Sequence, residues 1–245
     1  MRIIARLDIK TQNLIKPIQL EGLRVLGNPN EFAKRYYEDG ADELILIDTV
    51  ATLYGRNHLA KIIKETSNDV FIPITISGGV RTLNDAEEIF KSGADKISIN
   101  TAAIEDPEII DKFVKNYGSQ SIVISMDVKK INENEWECYT HGGRERTNKN
   151  VKDWCKEVES RGAGEVFITS IDKDGTKKGL DFELGEKISE NLKIPFVFGG
   201  GLKSEDEISK INFLGRCDGL AVGTSLHYKL LNIKKLKSKI KINEN

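Results

Sequence analysis

Short apolar runs alternate with longer amphipathic stretches along the whole chain. The runs ELILID, FIPITI, KISIN, IVISMD, EVFITS, IPFVF and GLAVG are apolar at both odd and even positions and rich in β-branched residues. Such runs are typical of strands buried on both faces of a parallel sheet. The stretches PNEFAKRYYEDG, LNDAEEIFKSG and DPEIIDKFVKNYG begin with a capping residue or proline and end with glycine, as helices do. The pattern predicts eight alternating strands and helices.

The second half of the chain repeats the pattern of the first. IIARLDIK, which contains Asp8, is matched 119 residues later by IVISMDVK, which contains Asp127, and three further segment pairs match at offsets of 122, 122 and 123 residues. A nearly constant offset over four segments indicates two homologous halves of four units each. We therefore predict an α/β protein with a single (β/α)8 TIM-barrel domain over residues 1–245, built from half-barrels at about 1–120 and 121–245. An open doubly wound sheet would lack this half-chain symmetry.

Composition narrows the classes of function. The 245 residues include 37 basic and 38 acidic side chains, so no charge bias points to nucleic acid or to an anionic membrane. No apolar run approaches the roughly 18 residues that a membrane span needs. The first strand begins directly, without the long apolar stretch of a signal peptide. We expect a cytoplasmic protein.

The cysteines and histidines are few and widely separated along the chain. They are Cys138, Cys155, Cys217, His58, His141 and His227. A disulfide framework or a zinc site requires more regular and closer spacing. We therefore predict ordinary thiols, no metal site and no cofactor.

Asp8 and Asp127 both stand where a predicted barrel strand ends. Active sites of such barrels are built at the carboxyl ends of the strands, and the half-chain offset puts the two aspartates on the first and fifth strands, on opposite sides of the mouth. Paired carboxylates in a cleft can divide acid and base work when their surroundings separate their pKa values. We predict this role for the pair; the alternative is that each aspartate caps its loop or the next helix.

Glycine or hydroxyl residues follow four predicted strands, in matching places in the two halves of the chain. The segments are Ser77-Gly78-Gly79 and Asn100-Thr101 in the first half, and Gly199-Gly200-Gly201 and Gly223-Thr224 in the second. Glycine lets backbone N–H groups approach an anion, and hydroxyls add donors. We predict two phosphate sites and hence an elongated substrate with a phosphate at each end. Tight turns alone would explain the glycines but not the hydroxyls beside both clusters.

Three longer strings carry a resemblance to a known family. GADKISINTAA, YGSQSIVISMDVKK and GAGEVFITSIDKDGTKKGLD resemble HisF, the cyclase subunit family of imidazole glycerol phosphate synthase, and the resemblance covers essentially the whole chain. It implies that ammonia reacts with the two-phosphate substrate PRFAR (phosphoribulosyl-formimino-AICAR-phosphate). That substrate is cleaved and cyclised to imidazole glycerol phosphate and AICAR in histidine biosynthesis.

The resemblance also implies roles for individual residues. Asp8 and Asp127 match the catalytic acid and base of the family. The phosphate sites are implied to include Gly79, Asn100, Thr101, Gly200, Gly201, Gly223 and Thr224, and the residues around the substrate are implied to be Lys16, Asp48, Thr169, Ser170 and Asp174.

Four charged residues at predicted strand starts bear on the source of nitrogen. In HisF, ammonia from a separate glutaminase subunit enters through a charged ring at the barrel floor, and the matching residues here are Arg2, Glu43, Lys96 and Glu165. Two cations and two anions would neutralise each other as an alternating ring; a purely structural seal is the alternative. Asp95 matches a family residue that contacts the glutaminase. The chain has no nucleophile-elbow cysteine, so a HisH-like glutaminase partner in a heterodimer is implied.

The loop after the first strand departs from the family pattern. The family continues with Asp-Gly-Arg, a later Lys-Gly and a phenylalanine, whereas this chain has Thr11, Gln12 and Asn13, then Pro17 and Leu20. Gly199 also replaces a serine of the family. Because proline fixes φ and removes a donor, we expect loop closure over the substrate to differ.

Three other functions share parts of the pattern. A HisF-like paralogue would supply ammonia with an amidotransferase for an acetamidino group on a surface sugar; such paralogues tend to lack the first aspartate, which is Asp8 here. A non-catalytic barrel that activates a glutaminase would keep the charged ring and lose the aspartates and phosphate loops. The HisA isomerase shares the half-barrel repeat, but the ring and the string GSQSIVISMDVKK favour the cyclase.

Overall fold

Eight parallel strands form a closed barrel in the computed structural model, which describes residues 1–51, 59–213 and 217–243. They are β1 Arg2–Lys10, β2 Glu43–Asp48, β3 Ile74–Ser77, β4 Lys96–Ile99, β5 Ile122–Asn132, β6 Glu165–Ser170, β7 Phe196–Gly199 and β8 Cys217–Val222. Each strand pairs with the next, and β8 pairs with β1, so the eight strands close into a barrel. The predicted (β/α)8 TIM barrel is confirmed.

Helices connect the strands and cover the outside of the barrel. They are α1 Pro29–Glu38, α2 Ala60–Asp69, α3 Leu83–Lys91, α4 Thr101–Glu105, α5 Glu108–Tyr117, α6 Val151–Ser160, α7 Phe182–Asn191, α8 Glu207–Phe213, α9 Thr224–His227 and α10 Ile233–Asn243. Helix α1 begins as the sequence predicts, because the Asn28 side chain accepts from the backbone N–H of Asn30 and Pro29 occupies the first turn. Helix α3 begins with a capping box formed by Thr82 and Asp85.

Alternation along the strands separates an outer core from an inner core. On β1, Ile3, Ala5 and Leu7 belong to the large core between the sheet and the helices. Ile4 instead packs inside the barrel in a small cluster, with Ile45, Val123, Phe167, Val197 and Ala221 from other strands. Because successive strand side chains point to opposite faces, the residues two and four positions after Ile4 also face the interior, nearer the carboxyl end.

Two antiparallel hairpins that the sequence did not predict extend the barrel at its mouth. The loop-one hairpin, Asn13–Ile18 with Glu21–Gly27, follows β1, and the loop-five hairpin, Glu135–Thr140 with Glu145–Asn150, extends β5. Both stand at the same place in the two predicted halves of the chain. The division of residues 1–245 into half-barrels itself stays a prediction.

The described residues contain neither a membrane-spanning helix nor a cluster of metal-ligating side chains. None of the helices within 1–51, 59–213 and 217–243 has the length and apolar character to cross a membrane. Across the same ranges, no three His, Cys, Asp or Glu side chains come together as metal ligands would; His58 lies outside them.

Cys138 and Cys155 are buried free thiols, and burial raises the pKa of Cys155 to about 12.

Candidate active site

Within the described residues, two cavities that share Arg6 in their walls open at the carboxyl ends of the barrel strands. The larger of these two has a volume of about 200 Å³, and the smaller one about 20 Å³. Of the predicted residues, Asp48, Gly79, Asn100, Thr101, Asp127 and Thr169 line the larger cavity, and Asp174, Gly200, Gly201, Gly223 and Thr224 line the smaller. The structure therefore brings together, at the mouth of the barrel, most of the residues that the sequence singled out.

Asp8 lies in a buried network of four charged side chains. Its Oδ1 accepts from Nε of Arg6 at 2.9 Å, and its Oδ2 accepts from Nζ of Lys16 at 2.7 Å. Both cations also approach Asp174, at 3.4 Å. All four residues are at most 4% exposed, and their two positive and two negative charges balance, as buried charges require.

This network fixes the charge of Asp8. Burial alone disfavours its ionised form, but the attraction of Arg6 and then of Lys16 outweighs burial and holds the pKa of Asp8 well below its ordinary range. Asp8 is therefore a carboxylate throughout the physiological pH range.

Asp127 has a different environment on the opposite side of the mouth. It is partly exposed, lines the larger cavity and accepts a hydrogen bond from Nδ2 of Asn100 at 3.1 Å. Burial raises the pKa of Asp127 to about 6; the charges of Asp174 and Asp8 add to this, while Arg6 and Asn100 oppose it. Asp127 therefore gains or loses its proton within the pH range in which many enzymes work.

The loops after β3 and β4 point polar groups toward the larger cavity. Ser98 Oγ and Asn100 Oδ1 are buried there and have no hydrogen-bond partner within the described ranges. The Thr101 hydroxyl accepts from the backbone N–H of His141 at 3.1 Å. Because buried polar atoms are normally paired, the two unpartnered atoms indicate a ligand that completes the site.

The loops after β7 and β8 form a narrower counterpart. Gly200 and Gly201 have φ angles of +107° and +89°, and a Cβ on Gly201 would lie 2.5 Å from the carbonyl oxygen of Gly179. The hydroxyl of Thr224 is buried and lacks a hydrogen-bond partner among the residues described. The smaller cavity has room for about one water molecule, so the loops after β7 and β8 enclose little free volume in this conformation.

We expect that Gly78 does not tolerate a side chain. Its φ is +94°, and a Cβ would lie 2.3 Å from the carbonyl oxygen of Asp48 at the end of β2. Backbone strain of this kind costs about 1–3 kcal/mol, and the clash adds to it. Gly142→Ala is the matched control, because Gly142 has a φ of +68° but no atom within 4 Å of the added Cβ. Denaturant unfolding should show a larger loss for Gly78→Ala; equal losses would contradict the steric explanation.

Some predicted residues lie outside both cavity walls. Ser170 is fully buried, and its hydroxyl donates to Oδ2 of Asp181 at 3.0 Å, which fixes the loop after β6. Asp8 and Lys16 are likewise absent from both walls, since they are enclosed in the buried network. The substrate contacts expected of these three residues stay a prediction.

Sequence reasoning missed several charged residues of the mouth. Arg81 and Arg144 line the larger cavity, Lys177 lines the smaller one, and Arg6 lines both. A signal for Arg6 was available, because it precedes Asp8 by two residues on a strand and therefore shares its inward face. Arg81, Arg144 and Lys177 lie on loops, where no periodic pattern predicts which way a side chain points.

The loop-one hairpin lies over the mouth. The backbone N–H of Gln19 donates to the carbonyl oxygen of Asp174 at 2.8 Å, and Pro17 and Leu20 line the larger cavity. Gln19 and Leu20 form its turn with φ angles of 51° and 63°, which non-glycine residues adopt infrequently. Two of the residues that depart from the family pattern, Pro17 and Leu20, thus form part of the roof of the site.

The charged ring expected at the floor is present as a closed set of ion pairs. Arg2 contacts both Glu43, at 2.8 Å, and Glu165. Lys96 contacts the same two carboxylates at 3.1 and 3.0 Å. Nearby, the Asp95 carboxylate accepts from the backbone N–H of Ile74 at 2.8 Å. Each glutamate therefore lies between two cations, which explains how both remain buried.

Fold and site together define a class of protein. It is the class of (β/α)8-barrel enzymes. At the carboxyl ends of the strands, a carboxylate with a raised pKa lines one cavity together with the loops after β3 and β4, and the loops after β7 and β8 line a second cavity. Over residues 2–232 the chain matches the family described as "Histidine biosynthesis protein", and it belongs to that family.

Curated relatives agree with this membership. One relative is "Imidazole glycerol phosphate synthase subunit HisF" of Legionella pneumophila, to which the chain is 51% identical over 209 residues. The alignment covers 85% of this chain and 99% of the relative. The chain is 41% identical over 242 residues, 99% of this chain and 95% of the relative, to the protein of the same name from Campylobacter concisus. The relative of that name from Helicobacter hepaticus is 40% identical over 237 residues, 97% of this chain and 94% of the relative.

Proposed function

We propose that the chain is the cyclase subunit of imidazole glycerol phosphate synthase, which uses ammonia to convert PRFAR to imidazole glycerol phosphate and AICAR in histidine biosynthesis. The relatives that cover the chain almost completely carry the name of this subunit. The observation that carries the proposal is the pair of loop sites on either side of Asp127. Each holds a buried polar atom that lacks a partner in the described part of the chain, Asn100 Oδ1 in one and Thr224 Oγ1 in the other. A substrate with a phosphate at each end would supply a hydrogen-bond partner for each of these two atoms.

The residues of the mouth support proton transfer beside such a substrate. Asp127 reaches the larger cavity, and its pKa of about 6 makes it a carboxylate, able to accept a proton, at neutral and mildly alkaline pH. Arg81 and Arg144 add positive charge to the same wall, where a phosphate group is stabilised.

We further propose that a glutaminase subunit docks at the barrel floor and delivers ammonia through the charged ring of Arg2, Glu43, Lys96 and Glu165. The ring surrounds the interior at the amino-terminal ends of β1, β2, β4 and β6. A heterodimer in the cytoplasm, with Asp95 close to the partner, follows from this role.

The direct test uses the purified chain with PRFAR and excess ammonium salt at mildly alkaline pH, where free ammonia replaces any partner. Formation of imidazole glycerol phosphate, followed together with loss of PRFAR, supports the cyclase. Absence of turnover in a folded protein that still binds phosphate would contradict it and favour the surface-sugar alternative.

The pH dependence of this reaction is expected to report Asp127. Its pKa is raised to about 6, so a base at this position is lost as pH falls through that value, and turnover should fall with it. Above about pH 6 the activity per unit of free ammonia should be constant. The measurement is kcat/KM for PRFAR from pH 5 to 9, with total ammonium adjusted so that free ammonia stays fixed. A decline above pH 6 instead would assign Asp127 the role of an acid.

A further inference from the structure

Both carboxylate oxygens of Asp8 are occupied in this structure. Oδ1 accepts from Nε of Arg6 at 2.9 Å, and Oδ2 accepts from Nζ of Lys16 at 2.7 Å. A carboxylate that exchanges a proton with a substrate needs an oxygen within hydrogen-bond reach of it, so one of the two cations must move away. Lys16 is the one free to do so, because its stem is flexible, whereas the Arg6 guanidinium also donates to Oγ1 of Thr169.

An ammonium that leaves Asp8 needs a second acceptor. Lys16 is 4% exposed, so bulk water does not take the place of the carboxylate, and a buried cation without a partner is costly. Oδ2 of Asp174 lies 3.4 Å from Nζ of Lys16, but Asp174 is already shared with Arg6. An ammonium has three hydrogens to donate, so these contacts leave one of them for another acceptor.

His227 presents a nitrogen without a partner to the same place. It is the last residue of α9 and is 7% exposed, and its Nε2 lacks a hydrogen-bond partner among the residues that the structure describes. A Cβ built on Gly223 would lie 3.6 Å from this Nε2 and 3.7 Å from Nζ of Lys16. The two nitrogens therefore lie on either side of the space that a side chain at Gly223 would fill.

Helix α1 fixes the orientation of the His227 ring. Nδ1 lies 2.6 Å from the hydroxyl oxygen of Tyr36, and the two rings are stacked with their centres 5.8 Å apart. The Phe32 ring packs nearly perpendicular to the imidazole, also at 5.8 Å. One edge of the imidazole is thus held from outside the barrel, and Nε2 is turned toward Lys16.

The surroundings also determine the charge of the ring. Burial, and then the charge of Lys16, lowers the pKa of His227 to about 3; Arg35 and Arg6 act in the same direction, and Asp8 opposes them. The ring is therefore neutral at any pH at which the enzyme would work. Because a cation faces Nε2, the tautomer with its hydrogen on Nδ1 is favoured, and Nε2 is then a hydrogen-bond acceptor.

We infer that His227 is a positioning residue: its Nε2 accepts the Lys16 ammonium when that ammonium leaves Asp8, which frees Oδ2 of Asp8 for proton exchange with the substrate. The inference rests on the proposed function and specifies one step of it. Lys16 changes its acceptor by rotation of its side chain, and no proton passes to His227. The total charge of the buried network is the same before and after this step.

Three variants of His227 test the acceptor. His227→Gln keeps an acceptor near the position of Nε2, His227→Asn keeps one only near Nδ1, and His227→Phe keeps a ring without any. With PRFAR and excess ammonium, we expect kcat to fall about tenfold for the Asn and Phe variants, as for loss of one hydrogen bond to a charged group. The Gln variant should stay within about threefold of the unaltered chain.

The KM for PRFAR should stay unchanged in all three variants, because His227 lies outside both cavity walls. Circular dichroism establishes that each variant is folded, and the comparison of Gln with Asn is sufficient if the Phe variant does not fold. Equal kcat for the folded Gln and Asn variants, or a change confined to the KM, would overturn the inference, since a structural role alone does not distinguish the two nitrogens.

Nitrogen NMR of the ligand-free protein tests the same contact without turnover. The ¹⁵N shifts of the imidazole show which nitrogen carries the hydrogen, and loss of the signal in His227→Gln identifies the ring. We expect Nδ1–H and an unprotonated Nε2, with no titration between about pH 5 and pH 8, and a displaced Nε2 signal in Lys16→Met. A protonated Nε2, or an Nε2 signal that Lys16→Met leaves in place, would overturn the inference.

The NMR outcome is independent of the proposed function. If the unaltered chain does not convert PRFAR, the proposed function fails, and the spectra still decide whether His227 faces Lys16 as an acceptor. If the chain converts PRFAR but the spectra show Nε2–H, the proposed function stands and the role of His227 fails.

Discussion

Asp127→Asn is expected to lower ammonia-dependent turnover by about 10³-fold, within the range of 10²–10⁴ that general acid–base groups contribute. Asparagine preserves the shape of the side chain, and its oxygen can still accept from Nδ2 of Asn100. Only the ability to exchange a proton is removed. The effect should therefore appear in kcat far more than in the KM for PRFAR, and steady-state kinetics at saturating ammonia measure both.

The same substitution is expected to make the folded protein more stable at neutral pH. The pKa of Asp127 is raised from 3.8 to about 6 in the folded chain, so ionising it above pH 6 costs free energy that the unfolded chain does not lose. At about 1.4 kcal/mol per pKa unit, the uncharged asparagine removes a penalty of up to about 3 kcal/mol. The gain is fully present above pH 6 and disappears as pH falls toward 4, because aspartate is then neutral in the folded state.

Urea unfolding of both proteins at pH 7.5 and pH 4.5 measures this difference. A folded, more stable and inactive Asp127→Asn variant would establish that the residue serves the reaction and not the fold. Asp111→Asn is a surface control, since the Asp111 carboxylate is about half exposed; it should leave activity unchanged. A folded Asp127→Asn variant with undiminished turnover would contradict the role of Asp127.

Lys96→Met is expected to destabilise the charged ring at the barrel floor and to slow the delivery of ammonia to the mouth. Lys96 joins Glu43 and Glu165 across the ring, and these carboxylates are 2% and 7% exposed. Breaking a buried ion pair costs about 3–5 kcal/mol, and we expect a loss near the lower end, because Arg2 still contacts both glutamates.

The kinetic effect of Lys96→Met should depend on where ammonia comes from. With a glutaminase partner and glutamine, turnover is expected to fall about tenfold, equivalent to about 1.4 kcal/mol in the barrier. With excess free ammonia it should change little, and the KM for PRFAR should not change, because the ring lies at the opposite end of the barrel. Lys91→Met is the matched control: Lys91 pairs with Glu87 on the exposed face of α3, where an ion pair adds little stability. A rise in the KM for PRFAR alone would contradict the passage of ammonia through the ring.

The two aspartates show how far the repeat of the sequence predicts chemistry. Their equivalent places on β1 and β5 follow from the chain alone, since strand period and half-chain offset fix which face and which end each occupies. Their environments differ because the residues two positions earlier differ. Arg6 stands two residues before Asp8, whereas Ser125 stands two residues before Asp127. The long cationic side chain of arginine can both neutralise and cover the neighbouring carboxylate, and the short neutral side chain of serine can do neither.

The sequence by itself determined the barrel, the order of its strands and the helix starts. These features depend on local periodicity and capping, both of which can be read along the chain. The members of the floor ring were implied by the resemblance to the HisF family. The loop-one hairpin was missed because its turn residues, Gln19 and Leu20, carry no turn signal, although both have positive φ.

Only the tertiary structure decided which aspartate meets the cavity. The network that encloses Asp8 joins Lys16 to Asp174, which are 158 residues apart in the chain, and no local pattern specifies such a contact. Burial and the balance of charges around a carboxylate set its pKa, and both arise only when distant strands and loops come together. The difference between the surroundings of Asp8 and those of Asp127 is therefore a property of the folded barrel.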